Sequence, residues 1–373
     1  MNKKEIAEIR KQLTPANCAI TRICGCYVDA ERQKVTQFME AFLSLPEEEM
    51  FKYFDIFRKA LSGTLEKNLL NMEFPLESEE EGGTQSELLR LRDSRLTDDV
   101  LLENYYDRVI EAGPFEENYL ILLIHAAYDV PGRGSDQMEQ FDASDEVYQY
   151  VISCICPVSL SKPALSYDAS EKCFRNRIRD WIVDAPVLGF LFPAFNDRQS
   201  DIHSILYYSK SAEDLHVDFS DRLLGCRVPL PVSDQKVLFS DLVEEALGEE
   251  CDYETVRSLH EQIHDLTVSQ KENPEPAMLD QGEIKNLLAL SGAAPAKLDE
   301  FDTHFEETAG KGARFLAAGL PGHRSYEVKT PDVTIQVSPD RSDLVETRTI
   351  DGRPCLVIPI TDEVFVNGIR VKP

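Results

Sequence analysis

Tyr119-Leu120-Ile121-Leu122-Leu123-Ile124-His125-Ala126 decides the fold class. His125 interrupts this apolar run, which also falls far below the roughly eighteen residues that span a bilayer. Its aliphatic and aromatic content suits a strand, and residues 147–157, 189–195 and 202–208 repeat that texture between turn-forming residues. Together they predict a mostly antiparallel sheet. Between the first two, residues 129–145, with Pro131, Gly132 and Gly134, read as a long loop, a place where function often resides.

On the amino-terminal side, residues 3–12 read as a helix stopped near Pro15, and residues 19–28 as a strand. Two helices, 35–45 and 47–61, are predicted to flank Pro46, which suits a first helical turn because its missing N–H needs no partner there. Ser44 is placed to cap, and Glu47, Glu48 and Glu49 lie at the positive end of the second helix's dipole. Met50, Phe51, Phe54, Phe57, Ala60 and Leu61 form its apolar face, and Ser62-Gly63 ends it. Residues 77–83, Glu-Ser-Glu-Glu-Glu-Gly-Gly, read as a surface loop. Helices follow over 87–96 and 98–111.

On the carboxy-terminal side, periodicity predicts helices over 238–248 and 253–268, a break at 271–276, and shorter helices over 283–290 and 297–307. Beyond Pro321-Gly322, residues 326–328, 333–337, 344–350, 355–360 and 364–371 read as strands, with Asp351-Gly352 and Asn367-Gly368 as hairpin turns. The fold class is therefore α+β: a mixed helical and mostly antiparallel sheet core with a small C-terminal β-module. Four segments follow: a helix-rich 1–115 with one strand, a β-rich α+β core over 116–235, a helical segment 236–320, and the β-module 321–373.

The chain has 373 residues, 42% of them hydrophobic, with 18 Phe and 13 Tyr, enough for two or three ordinary domains with real cores. Its formal charge of −28, from 67 acidic against 39 basic side chains, repels phosphate backbones, which argues against nucleic acid as a partner. The same field keeps a protein in solution and favours cations or a basic protein surface. Met1-Asn2-Lys3-Lys4-Glu5-Ile6 is followed by Glu8, Arg10 and Lys11 instead of an apolar run, so no secretory signal is expected. Nine cysteines, an odd number in a chain of this size, fit a reducing compartment. The expected setting is the cytoplasm, with no membrane span.

One motif carries known chemistry. His260-Glu261-Gln262-Ile263-His264 places two imidazoles four apart on a helix, where they can share one zinc ion while Glu261 acts as general base. Glu283, nineteen residues beyond His264, is a candidate third ligand. Against this, Arg257 and Asp265 place charge on the flanks, and Val256, Leu259, Ile263 and Leu266 already form an apolar stripe with the histidines beside it. On that alternative the helix is water-facing scaffold. Cys24-Gly25-Cys26 and Cys154-Ile155-Cys156 lie inside strand-like runs, where residues two apart share a face and read as buried thiols. Finally, His125 and Asp129 with Asp197, Arg198, Asp201 and His203 are a candidate polar pocket for a divalent metal or an anion. The alternative is that these residues satisfy loop backbones and pair as surface ions. No G-x-x-x-x-G-K-[ST], G-x-G-x-x-G or G-x-S-x-G is present, which lowers nucleotide-driven and serine-hydrolase readings.

Several stretches are family markers: Met1-Asn2-Lys3-Lys4-Glu5-Ile6, Ile20-Thr21-Arg22-Ile23-Cys24-Gly25-Cys26-Tyr27-Val28, Lys59-Ala60-Leu61-Ser62-Gly63-Thr64, Tyr128-Asp129-Val130-Pro131, Ile155-Cys156-Pro157-Val158, Phe190-Leu191-Phe192-Pro193-Ala194-Phe195 and Ile350-Asp351-Gly352-Arg353. In these the chain resembles, nearly end to end, an uncharacterised bacterial family of unknown function found mainly in anaerobic, gut-type Firmicutes. The resemblance implies a bacterial, cytoplasmic protein and brings with it no activity, cofactor or functional residue. The expectation is a non-enzymatic interaction or regulatory protein whose acidic surface or carboxy-terminal β-module engages another protein, with no cofactor. The alternative is a zinc-peptidase-like hydrolase using His260, His264, Glu283 and Glu261.

Overall fold

The computed structural model describes residues 1–133, 139–321, 326–360, 364–366 and 369–371. The chain divides into two compact units, Met1–Pro231 and Val232–Pro373. In the first, α1 (Lys3–Lys11) starts on a capping box: the Asn2 side chain accepts from the Glu5 amide, and the Glu5 carboxylate accepts from the Asn2 amide. There follow β1 (Ile20–Val28), β2 (Lys34–Ala41), α2 (Glu47–Ala60), β3 (Leu69–Glu73), α3 (Thr84–Asp93), α4 (Asp99–Ala112), β4 (Tyr119–Arg133) and β5 (Glu139–Leu160). Short strands β6 (Leu165–Asp168), β7 (Cys173–Asn176) and β8 (Trp181–Val183) precede β9 (Leu188–Phe192), β10 (Ala194–Asn196), β11 (Gln199–Asp201), β12 (Ser204–Ser209) and α5 (Val217–Leu224).

One eight-stranded sheet organises this unit, in the order β2-β1-β4-β5-β9-β12-β3, with β8 attached to the far end of β5. Its strand pairings are antiparallel. Side chains on β4 alternate between two cores, as a period of two requires. Leu120, Leu122, Ile124 and Ala126 pack with Ile9 of α1 and Phe54 and Phe57 of α2. Tyr119, Ile121 and Leu123 pack with Leu91, Tyr105, Val109 and Phe219 from α3, α4 and α5. Helices therefore cover both faces, which explains why β4 reads as an unbroken apolar run. Each such Leu or Ile contributes roughly 1.5–3 kcal/mol on burial, so this strand anchors both layers.

The structure departs from the sequence reading in three places in this unit. Residues 35–45 form β2 and a 3-10 turn, Phe42–Ser44, instead of a helix. Pairing with β1 overrides local preference here: Gly25 has no Cβ, so the Phe38 ring lies directly over its backbone across the ladder. Ser44 does not cap α2; its hydroxyl donates to the Ala41 carbonyl, and Pro46 occupies the cap position. The expected long loop 129–145 is mostly strand, since β4 runs to Arg133 and β5 begins at Glu139, while residues 134–138 lie outside those described. Pro131 sits where the ladder register shifts, the kind of irregularity that accommodates a residue lacking an N–H.

The second unit contains α6 (Val232–Leu247), α7 (Tyr253–Ser269), β13 (Met278–Leu279), α8 (Gln281–Ser291), α9 (Pro295–Thr308) and β14 (Phe315–Leu316). Phe239, Leu242, Leu259, Ile263, Leu288, Phe301, Phe305 and Phe315 fill its core. Three hairpins follow: β15 (Tyr326–Lys329) with β16 (Thr334–Val337), β17 (Glu346–Ile350) with β18 (Arg353–Val357), and β19 (Val364–Val366) with β20 (Ile369–Val371). Asp351 and Gly352 close the second with φ of 51° and 77°, the paired positive values a two-residue hairpin turn needs. The expected Asn367-Gly368 turn lies outside the described residues.

Candidate functional site

Helix α7 is fixed at its start by Asp252, whose side chain accepts from the Thr255 amide, and by the burial of Leu259 and Ile263 in the core. His260 and His264 lie one turn apart beside that stripe. They are not the water-facing pair expected from the charged flanks, because Pro321, Tyr326, Asp340 and Ser342 lie against this side of the helix. The His260 ring packs edge-on against Tyr326 at 6.3 Å, and burial lowers its pKa, partly offset by a hydrogen bond to the Pro321 backbone. His264 Nε2 meets Asp340 Oδ1 at 2.9 Å, and its side chain is only 15% exposed. Glu261 accepts from the Ser342 hydroxyl and pairs with Arg257 at 3.3 Å.

Glu283 is engaged in its own helix: its carboxylate accepts from the Asp280 amide at 2.8 Å as half of the α8 capping box. Two imidazoles with Asp340 on one of them fall short of the three convergent protein ligands of a catalytic zinc. Among the described residues, no three of His, Cys, Asp or Glu gather where they could hold a metal ion. Beside His260 lies a shallow cavity of about 360 Å³, lined also by Tyr253, Val256, Tyr326 and Lys329.

The polar residues of the first unit have separate partners. His125 lies in the middle of the sheet, 1% exposed, with Nδ1 2.7 Å from the Thr21 hydroxyl; burial above all holds its pKa down to about 4. Asp129 is exposed on β4. The turn between β10 and β11 carries Asp197 and Arg198, both at positive φ, and both reach back to α1. The Asp197 amide donates to Glu5, while Arg198 pairs with Glu8 at 3.0 Å and donates to the Pro131 carbonyl at 3.1 Å. Tyr128 also donates to Glu8, at 2.9 Å. Asp201 accepts from Asn196, and His203 meets Glu79, so its pKa is raised by that carboxylate. This arrangement docks α1 onto the sheet through its two glutamates.

All nine cysteines are free thiols. Cys24 and Cys26 face the core beneath α4, whereas Cys154 and Cys156 face the opposite core beneath α2, so the two pairs lie on opposite sides of the sheet. Burial pushes Cys24 and Cys156 up to about 12 and Cys26 to about 11, which keeps them protonated.

Sequence reading did not identify residues 162–185 as a feature. Here every residue is exposed apart from half-buried Asp168 and Cys173, yet the stretch includes Leu165, Tyr167, Phe174, Ile178 and Trp181, each more than half exposed. β6 and β7 form a hairpin in which the Tyr167 and Phe174 rings lie 5.3 Å apart, and neither residue belongs to a core. The base of this arm is fixed to β5 through β8, through Ser161 donating to the Asp180 carbonyl at 2.8 Å, and through Arg179 donating to the Ser161 carbonyl at 2.7 Å. A signal existed in the sequence: Lys172 to Arg179 holds four basic residues and no acidic one, in a chain of net charge −28, and the single Trp follows.

No helix among the described residues is long and apolar enough to cross a membrane. No curated protein and no solved structure matches the chain. A family model matches residues 1–369, and the chain therefore belongs to the family described as Domain of unknown function (DUF4317).

Proposed function

We propose that this is a non-enzymatic interaction protein of the bacterial cytoplasm, and that the arm of residues 162–185 is the part that engages its partner, another protein. The observation that carries the reading is the exposure of five large apolar side chains on one short ribbon, since contiguous exposed apolar surface on a soluble chain marks an interaction site. Aromatic and Arg side chains, which dominate protein interfaces, are concentrated there: Tyr167, Phe174 and Trp181 with Arg175, Arg177 and Arg179. Nine free thiols support a reducing setting, and the family resemblance supports a bacterial one. This reading places the contact on the arm in preference to the carboxy-terminal hairpins.

Site-specific photo-crosslinking inside cells tests the reading. A photoreactive amino acid replacing Trp181 is expected to trap a discrete protein adduct, while the same residue at Leu290, more exposed still but on helix α8, traps none. Equal labelling at both positions, or none at Trp181, overturns the proposal.

A further inference from the structure

We infer that the partner of the arm is a second copy of this chain, and that two copies exchange arms, each laying its basic, aromatic ribbon along the β2 edge of the other. This deepens the reading above and rests on it. The first argument is charge. Lys172, Arg175, Arg177 and Arg179 form a basic run on a chain whose net charge is −28; Arg175 pairs within the arm with Asp168 and Glu171, while Lys172 and Arg177 have no ion pair among the described residues. The surface most complementary to such a run is an acidic one, and every copy of this chain carries it.

The second argument is the acceptor. Among the described residues β2 closes one end of the sheet and pairs with β1 alone, which leaves its outer backbone edge without a strand partner. An open edge is a ready template for another strand. Val35 and Met39 on that strand and Leu43 and Phe51 just beyond it are exposed, and Glu40, Glu47, Glu48 and Glu49 stand among them, also exposed. The edge strand and the start of α2 thus present apolar side chains together with four carboxylates, and the arm presents apolar side chains together with four basic groups.

The third argument is area and symmetry. The five exposed apolar side chains of one arm carry on the order of 600 Å². Two arms, each covering equal area on its acceptor, exceed the roughly 1,600 Å² of a standard stable interface. Because each copy holds both an arm and an acceptor, a two-fold exchange closes on itself and leaves neither feature open.

Analytical ultracentrifugation of the full chain tests the inference. The expected result is a dimer at about 1–10 μM that dissociates as salt is raised. An Ile178→Asp/Trp181→Asp variant, altered only at exposed positions, is expected to weaken the dimer at least tenfold, as is Arg177→Glu. Glu40→Arg is expected to weaken it similarly and to restore pairing when mixed with Arg177→Glu. A chain that remains monomeric at about 100 μM, or a dimer indifferent to both sets of substitutions, overturns the inference. So does a monomer whose arm binds a single-stranded oligonucleotide or an anionic vesicle. If the chain is monomeric while Trp181 still cross-links to a different protein in cells, the self-pairing fails and the interaction reading stands.

Discussion

At His125 the fold converts a titratable side chain into a core residue. Its ring nitrogen satisfies Thr21, and burial, with Arg22, Arg92 and Arg95 adding to it, disfavours the imidazolium. The folded pKa of about 4 lies below the ordinary histidine value, so protons bind preferentially to the unfolded chain between the two values. Stability contributed by this group is therefore complete above about pH 6.5 and is lost as pH falls towards about 4, by roughly 3 kcal/mol in all. Urea midpoints measured from about pH 7 to pH 5 should fall more steeply for the native chain than for His125→Gln. On α7, with Glu283 committed to a cap and His264 to Asp340, purified chelator-free protein should carry zinc far below one equivalent by elemental analysis. The spacing of His260 and His264 was legible from residue order alone. Their covering by Tyr326, Pro321 and Asp340 was not, because those residues lie tens of positions later in the chain.

At the scale of elements, helices with full amphipathic periodicity were readable from the sequence, and α7 begins and ends within a residue of the reading because Asp252 and the Leu259/Ile263 stripe mark it. β2 was not readable, because its eight residues gain their pairing from β1, and a ladder is a non-local property. The docking of α1 was invisible for the same reason, since Glu8 meets Arg198 and Tyr128 far along the chain. Glu8→Ala should leave a largely enclosed guanidinium without its carboxylate and destabilise the first unit by about 2 kcal/mol in urea titrations. The arm behaves oppositely. Replacing residues 163–179 with a short Gly/Ser turn removes side chains that belong to neither core, so thermal stability should change by less than about 1 kcal/mol. A large loss of stability would show that the ribbon supports the sheet.

For the whole molecule, the two units have separate cores: residues up to Cys226 fill the two layers of the first, and those from Phe239 onward fill the second. A fragment ending at Pro231 should fold alone, with one cooperative transition and a mixed α/β circular dichroism spectrum. A fragment lacking any cooperative transition would show that the first unit needs the second. By itself, the sequence determined the α+β class, most helices, the central strands and the Asp351-Gly352 turn, because these rest on local periodicity, burial preference and backbone conformation. Only the tertiary structure decided that both faces of the sheet are covered, that β2 is a strand, that the two thiol pairs lie in different cores, and that residues 162–185 remain exposed. Each of these depends on which distant segments meet, and chain order encodes that only through the completed packing.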